Sequence, residues 1–175
     1  MNKFFLFTIL VFFTLTITTV SQDDPPRLSP KASVSQVIGY TEVSITYSRP
    51  GVKERDIWGG LVPYNQVWRT GANEATTIEF NNDVVINGNE VPKGKYGLFT
   101  IPGENKWTII LNKVWDQWGA FNYNAEEDFL RFNAKPEKSD FTPRLLFTFE
   151  YVSPYSANVL LEWNHIEVPF LIETN

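Results

Sequence analysis

Val84-Val85-Ile86-Asn87-Gly88-Asn89-Glu90-Val91 reads as two short strands folded about a two-residue turn. Asn-Gly accepts the pair of positive φ angles that a tight hairpin needs, and the flanking branched residues suit a half-buried strand. The same pattern spreads outward from this hairpin. Upstream, Val43, Ile45 and Tyr47 alternate with Glu42, Ser44 and Thr46. Downstream, Tyr96 to Ile101 and Trp107 to Leu111 form a second pair across Pro102-Gly103-Glu104-Asn105. Phe129 to Ala134, Leu145 to Tyr151 and Val159 to Trp163 continue the series, and no window after the first residues has helical periodicity. About eight or nine short strands with closely spaced turn signals predict an all-β fold, a single-domain antiparallel β-sandwich or flattened barrel. The expected core is Val43, Ile45, Ile78, Phe80, Leu98, Ile109, Leu111, Phe147, Phe149, Leu161 and Trp163.

The last strand carries a phase slip. Val159, Leu161 and Trp163 are apolar at odd positions, whereas Ile166, Val168 and Phe170 are apolar at even ones. One extra residue near Asn164-His165 keeps both halves facing the core, which is what a β-bulge does. Pro169 suits an edge or a strand end, and the stretch Glu167 to Ile172 is the suspect for an exposed edge. His165, the one histidine, stands at the bulge without a partner for metal or catalysis and reads as structural or solvated.

Residues 1–21 look like an address. Lys3 gives a positive start, Phe4 to Val20 is an apolar run interrupted by threonines, and Thr19 and Ser21 are small residues placed for a cut before Gln22. An uncleaved anchor is the alternative reading of that run. Residues 22–29 are a Pro-containing spacer, and residues 30–172 the β domain. Location is therefore expected to be outside the cytoplasm, periplasmic or secreted, without membrane insertion once the signal is removed. The chain has no cysteine, so its core alone must hold it together. Removing residues 1–21 takes one lysine and no acid, which moves the net charge from −5 to −6. With no basic cluster, nucleic acid is not an expected partner.

Two segments break the strand rhythm: Arg49 to Asn73 and Asn112 to Asp128. Long irregular stretches inside compact domains are usually functional or hide short helices. Four of the six tryptophans fall in them, Trp58, Trp68, Trp115 and Trp118, along with Tyr64, Phe121 and Tyr123. The block Trp68-Arg69-Thr70-Gly71-Ala72-Asn73-Glu74 packs an indole, a cation, an amide and a carboxylate together, so it is either a binding site or a hydrogen-bonded corner. The two loops are expected to meet at one end of the sandwich around a cleft. Trp58, Tyr64, Trp68, Trp118 and Tyr123 would be its aromatic walls, and Arg69, Asn73 and Glu74 its polar contacts. Arg69 and Glu74 are open to two readings, a structural ion pair or ligand contacts.

Ile57-Trp58-Gly59-Gly60-Leu61-Val62-Pro63-Tyr64, Val67-Trp68-Arg69-Thr70-Gly71-Ala72-Asn73-Glu74-Ala75-Thr76, Pro92 to Pro102 and Trp118-Gly119-Ala120-Phe121-Asn122-Tyr123 together resemble an exported bacterial family catalogued as domain of unknown function 2911. The likeness runs from Ser29 to Phe170. It implies an exported β domain and brings no established activity.

Function must then be argued from the residues. Aromatic faces with a few fixed polar groups suit a carbohydrate or another small stacking ligand. Catalysis has thin support: there is no cysteine nucleophile, no Gly-x-Ser-x-Gly elbow and no histidine set for a metal, and neither a cofactor nor a metal is expected. The alternative enzyme reading is a carbohydrate-active hydrolase pairing Glu74 with Asp56, Asp116 or Glu126. A third class is a structural module whose partner is another envelope protein.

Overall fold

The computed structural model describes residues 25–175, so the expected signal segment lies outside the described residues. Ten strands follow in order: β1 (Lys31–Ile38), β2 (Thr41–Ser48), β3 (Thr77–Phe80), β4 (Val84–Ile86), β5 (Asn89–Val91), β6 (Gly94–Ile101), β7 (Trp107–Asn112), β8 (Asp128–Ala134), β9 (Glu137–Ser153) and β10 (Ser156–Glu173). The helical content among the described residues is one 3₁₀ turn, Ala125–Glu127. The strands build two antiparallel sheets, one ordered β1-β2-β3-β6-β7-β8 and the other β5-β4-β10-β9, and the sheets do not close into a barrel. The fold is a β-sandwich.

The founding hairpin forms as its sequence dictates. Val84 faces Val91 and Ile86 faces Asn89, with Asn87 at φ 45° and Gly88 at φ 79°. Asn87 does more than turn the chain: its Oδ1 accepts the Leu171 amide at 2.8 Å, and its own amide donates to the Leu171 carbonyl at 3.1 Å. This pins the short hairpin to β10.

Period-two alternation places the inner faces. All eleven expected core residues pack in the core; ten are buried and Phe149 is partly buried against them. Tyr47 ties the sheets together, its hydroxyl accepting the Phe147 amide at 3.1 Å while its ring meets Phe147 edge-on at 4.9 Å.

The bulge is where the phase slip put it. Pairing between β9 and β10 shifts register between Glu162 and Ile166, and Asn164 takes φ 60°. Trp163 and Val168 stay buried on either side of it. The slip also explains why β9 and β10 are longer than the short strands expected: a bulged strand continues where the alternation seems to stop. Within the suspected edge Glu167 to Ile172, Glu167 pairs with β9 and Ile172 with β4, while the registers give residues 168–171 no strand partner. Pro169 falls between the end of β9 pairing at Glu167 and the start of β4 pairing at Ile172, where a missing N–H costs no ladder bond.

Candidate functional site

The segment between β2 and β3 is a structural corner. Asn65 donates its amide to Pro102 O at 2.8 Å, and Trp68 exchanges backbone bonds with Thr100 at 2.7 and 2.9 Å. Thr76 then accepts the Leu98 amide at 2.7 Å. These residues extend the sheet along the part of β6 that β3 does not reach. The chain closes on itself through Thr76 N to Arg69 O and Thr76 Oγ1 to Thr70 O. Thr70, fully buried at φ 56°, is a β-branched residue in a left-handed conformation, which persists only where the surroundings over-determine it.

This corner turns Trp68 inward. Trp58, Trp68, Trp107 and Trp163 form one cluster, with ring centroids 4.8 to 6.4 Å apart across the five contacting pairs. The expected cleft is thereby corrected. Trp58 and Trp68 pack in the core, Tyr64 lies against Gly59, Tyr123 packs on Phe99, and only Trp118 of the five rings is exposed. Apolar burial outweighs display for an indole that the backbone aims between two sheets.

Of the two readings of Arg69 and Glu74, the mutual ion pair does not form. Glu74 is held by Arg27, one guanidinium nitrogen lying 2.6 and 2.8 Å from its two carboxylate oxygens. That hydrogen bond, first among the causes, holds the Glu74 carboxyl below its usual range. Arg69 makes no ion pair among the described residues; burial lowers its pKa, and its Nε is buried without a partner. Asn73 is a brace, its Nδ2 donating to Ser29 O at 3.1 Å and to Ser48 Oγ at 3.2 Å.

The two long loops do meet, but across the outer face of the six-stranded sheet instead of at an end. Ala75 donates to Gln117 O and Gly119 to Asn73 O, both at 3.0 Å. Beneath them Phe99 and Ile110, opposite in phase to Leu98 and Ile109, are fully buried with Ala75, Val67, Ala120 and Tyr123 around them. Gly97 lets the second loop lie flat on β6: a Cβ there would stand 2.7 Å from the Phe99 ring and 3.4 Å from Trp115 Cα.

Between this loop and the sheet runs a groove of about 120 Å³. Lys31, Thr46, Thr77 and Lys95 come from the outward positions of β1, β2, β3 and β6; Glu74, Trp115, Asp116 and Gln117 come from the loops. Lys95 is 3.6 Å from Glu79 and lies over the Trp115 ring at 4.5 Å. The loop is rigidly held. Asn112 Oδ1 accepts the Val114 amide at 2.9 Å, and its Nδ2 donates to Asn124 O at 2.9 Å and Asp128 at 2.8 Å. Gln117 Nε2 donates to Val114 O at 2.7 Å, whereas Gln117 Oε1 is buried with no donor. Tyr123 donates to Asp128 at 2.6 Å, and burial first, then that bond, pushes the phenol up to about 12. Asp128 is thus spent on the loop's own framework.

Of the eight expected site residues, only Glu74 lines the groove, while Trp118 stands exposed beside it through its backbone bridge to Glu74. Lys31, Thr77, Lys95 and Gln117 were missed. For Lys31, Thr77 and Lys95 the signal was the outward phase of their strands, which period-two reading supplies but which the loop aromatics overshadowed; Gln117, in a loop, has no such phase. Among the candidate carboxylates, Asp116 joins Glu74 in the groove, Asp56 lies by Trp58 elsewhere, and Glu126 is exposed in the 3₁₀ turn.

An antiparallel sandwich with one sheet face roofed by a braced aromatic loop defines the structural class. The chain belongs to the family described as protein of unknown function (DUF2911), whose profile matches residues 29–172. No curated protein and no solved structure matches it.

Proposed function

We propose that this chain is a binding module, acting outside the cytoplasm, that holds a hydroxyl-rich ligand in the groove beside Trp115; a saccharide is the class that fits. The observation that carries this reading is Gln117, a groove-lining residue whose Oε1 is a buried acceptor left without a donor. Leaving such a group unpaired costs about 1–3 kcal/mol, which a ligand hydroxyl would offset once the side chain turns its Oε1 into the groove. Thr46, Thr77, Asp116 and the two lysines offer both donors and acceptors, and Trp115 offers a ring wall. The groove has room for roughly four waters at about 30 Å³ each, enough for one edge of a sugar ring. Trp118 and Phe121, 56% and 85% exposed, continue the surface beyond it, which suits an oligomer more than a single ring.

Hydrolysis has less support. A glycosidase needs one carboxyl held protonated beside an ionised one. Glu74, depressed by Arg27, is suited to staying ionised. A rigid loop with satisfied braces suits recognition, since preorganisation reduces the cost of binding.

Calorimetry and tryptophan fluorescence of the exported protein with neutral oligosaccharides test the reading. Saturable binding that Trp115→Ala abolishes is expected; no heat and no spectral change with any of them would reject it.

A further inference from the structure

Glu74, which lines the groove, already holds a cation. Arg27 reaches Glu74 from the segment that precedes β1, and both side chains remain substantially exposed, at 48% and 38%. Pro25, Pro26, Arg27, Leu28 and Pro30 are all exposed, and Leu28 is 78% so. The segment is held through polar contacts: Asn73 to Ser29 O, the Arg49 amide to Pro30 O at 2.9 Å, and Arg144 to Leu28 O at 3.4 Å. Segments with little buried apolar surface open at small free-energy cost. An exposed ion pair adds about 0–1 kcal/mol to that.

We infer that the groove's ligand carries a protonated amine or guanidinium that takes Arg27's place on Glu74, so that residues 25–30 form a strap which ligand displaces. This rests on the reading of the groove as a saccharide site and narrows it to an amino sugar. The geometry supports it in two ways. Glu74 accepts a cationic donor with both oxygens, which defines the chemistry of that end of the groove. Gln117, whose Oε1 is unpaired, and Trp115 line the same groove as Glu74. Lys31, beside Glu74, favours its ionised form in the interval when Arg27 has left. The remaining carboxylate, Asp116, keeps the groove from being overly cationic despite Lys31 and Lys95.

The absence of cysteine makes a clean reporter possible. A Leu28→Cys chain carrying one environment-sensitive dye reports strap movement, while calorimetry on the unlabelled protein and on Arg27→Ala reports affinity. The probes are glucosamine, glucose and methylguanidine. We expect glucosamine to shift the dye signal saturably, to bind about two- to fivefold tighter to Arg27→Ala, and to outbind glucose, whose affinity is unchanged by the substitution. A response to methylguanidine with neither sugar binding would uphold the cation place and reject the saccharide reading of the groove. Equal binding of both sugars with a static strap would overturn this inference and leave the saccharide reading standing. Silence from all three probes would overturn both.

Discussion

The indole of Trp68 lies stacked on that of Trp163, centroids 5.8 Å apart and planes 16° from parallel. One ring comes from an irregular corner and the other from the long central strand of the opposite sheet, so this contact fastens the corner to the core. Trp68 also donates its Nε1–H to Gly71 O at 3.1 Å. Replacing Trp68 by alanine removes both and leaves a large cavity, for which we expect a loss of about 3–5 kcal/mol. Urea unfolding of Trp68→Ala checks this; a loss under about 1 kcal/mol would mean the corner is not anchored through this ring.

The hairpin gives a smaller and separable effect. Asn87→Ala sacrifices a favourable left-handed residue and the side-chain bond to the Leu171 amide. A loss of about 1–3 kcal/mol is expected from an amide left short of its acceptor plus the turn strain. Asn87→Gly should recover part of this, since glycine restores the turn but not the bond. Asn87→Gly as stable as the parent would show that the tie to β10 contributes nothing; equal stability of the two variants would show that the turn conformation contributes nothing.

Two ionisable groups set opposite pH responses. Glu74 has a depressed carboxyl, so its pairing with Arg27 stabilises the strap above the ordinary carboxylate value of about 4.3 and is lost as pH falls through the lower folded value. Side-chain NMR should show Glu74 titrating below that value, and returning toward it in Arg27→Ala. Tyr123 works the other way. Its folded phenol titrates near 12, above the ordinary value of about 10, so between these limits the unfolded state has shed a proton that the folded state keeps. Stability therefore falls as pH rises from about 10 to 12. Absorbance titration should find Tyr123 ionising near 12, late among the seven tyrosines together with Tyr96, which burial also raises, and Tyr123→Phe should lose the step near 12.

Strand alternation made the core legible from sequence because burial on a pleated sheet is a period-two property: Val43, Ile45 and Leu161 could face only one way. β1 was less legible, since its edge position leaves it mostly polar and exposed. The site was harder for a physical reason. Aromatic residues in loops carry no phase, so nothing local distinguishes Trp68, turned inward by sheet-like bonds to Thr100, from Trp118, left outside by its bridge to Glu74. The partner of Glu74, Arg27, is 47 residues away along the chain, a separation at which sequence spacing says nothing about pairing. The polar wall from β1, β2, β3 and β6 exists only once four strands are side by side.

The sharpest test of the groove is Gln117. Substitution by methionine keeps the length of the side chain, removes the Nε2 bond to Val114 O, and also removes the buried Oε1 that lacks a donor. Losing the bond costs about 0.5–1.5 kcal/mol, and losing the unpaired acceptor returns about 1–3 kcal/mol. These oppose each other, so the stability of Gln117→Met should lie between about 0.5 kcal/mol below and about 2.5 kcal/mol above the parent. Binding should behave differently. If Oε1 accepts a ligand hydroxyl, its removal deletes an interaction that nothing in the free protein replaces, and affinity should fall about tenfold for a net contribution near 1.4 kcal/mol. Thermal unfolding and calorimetry on the same sample separate the two effects. Unchanged affinity at unchanged stability would reject Gln117 as a ligand contact, and with it the observation on which the binding reading chiefly stands.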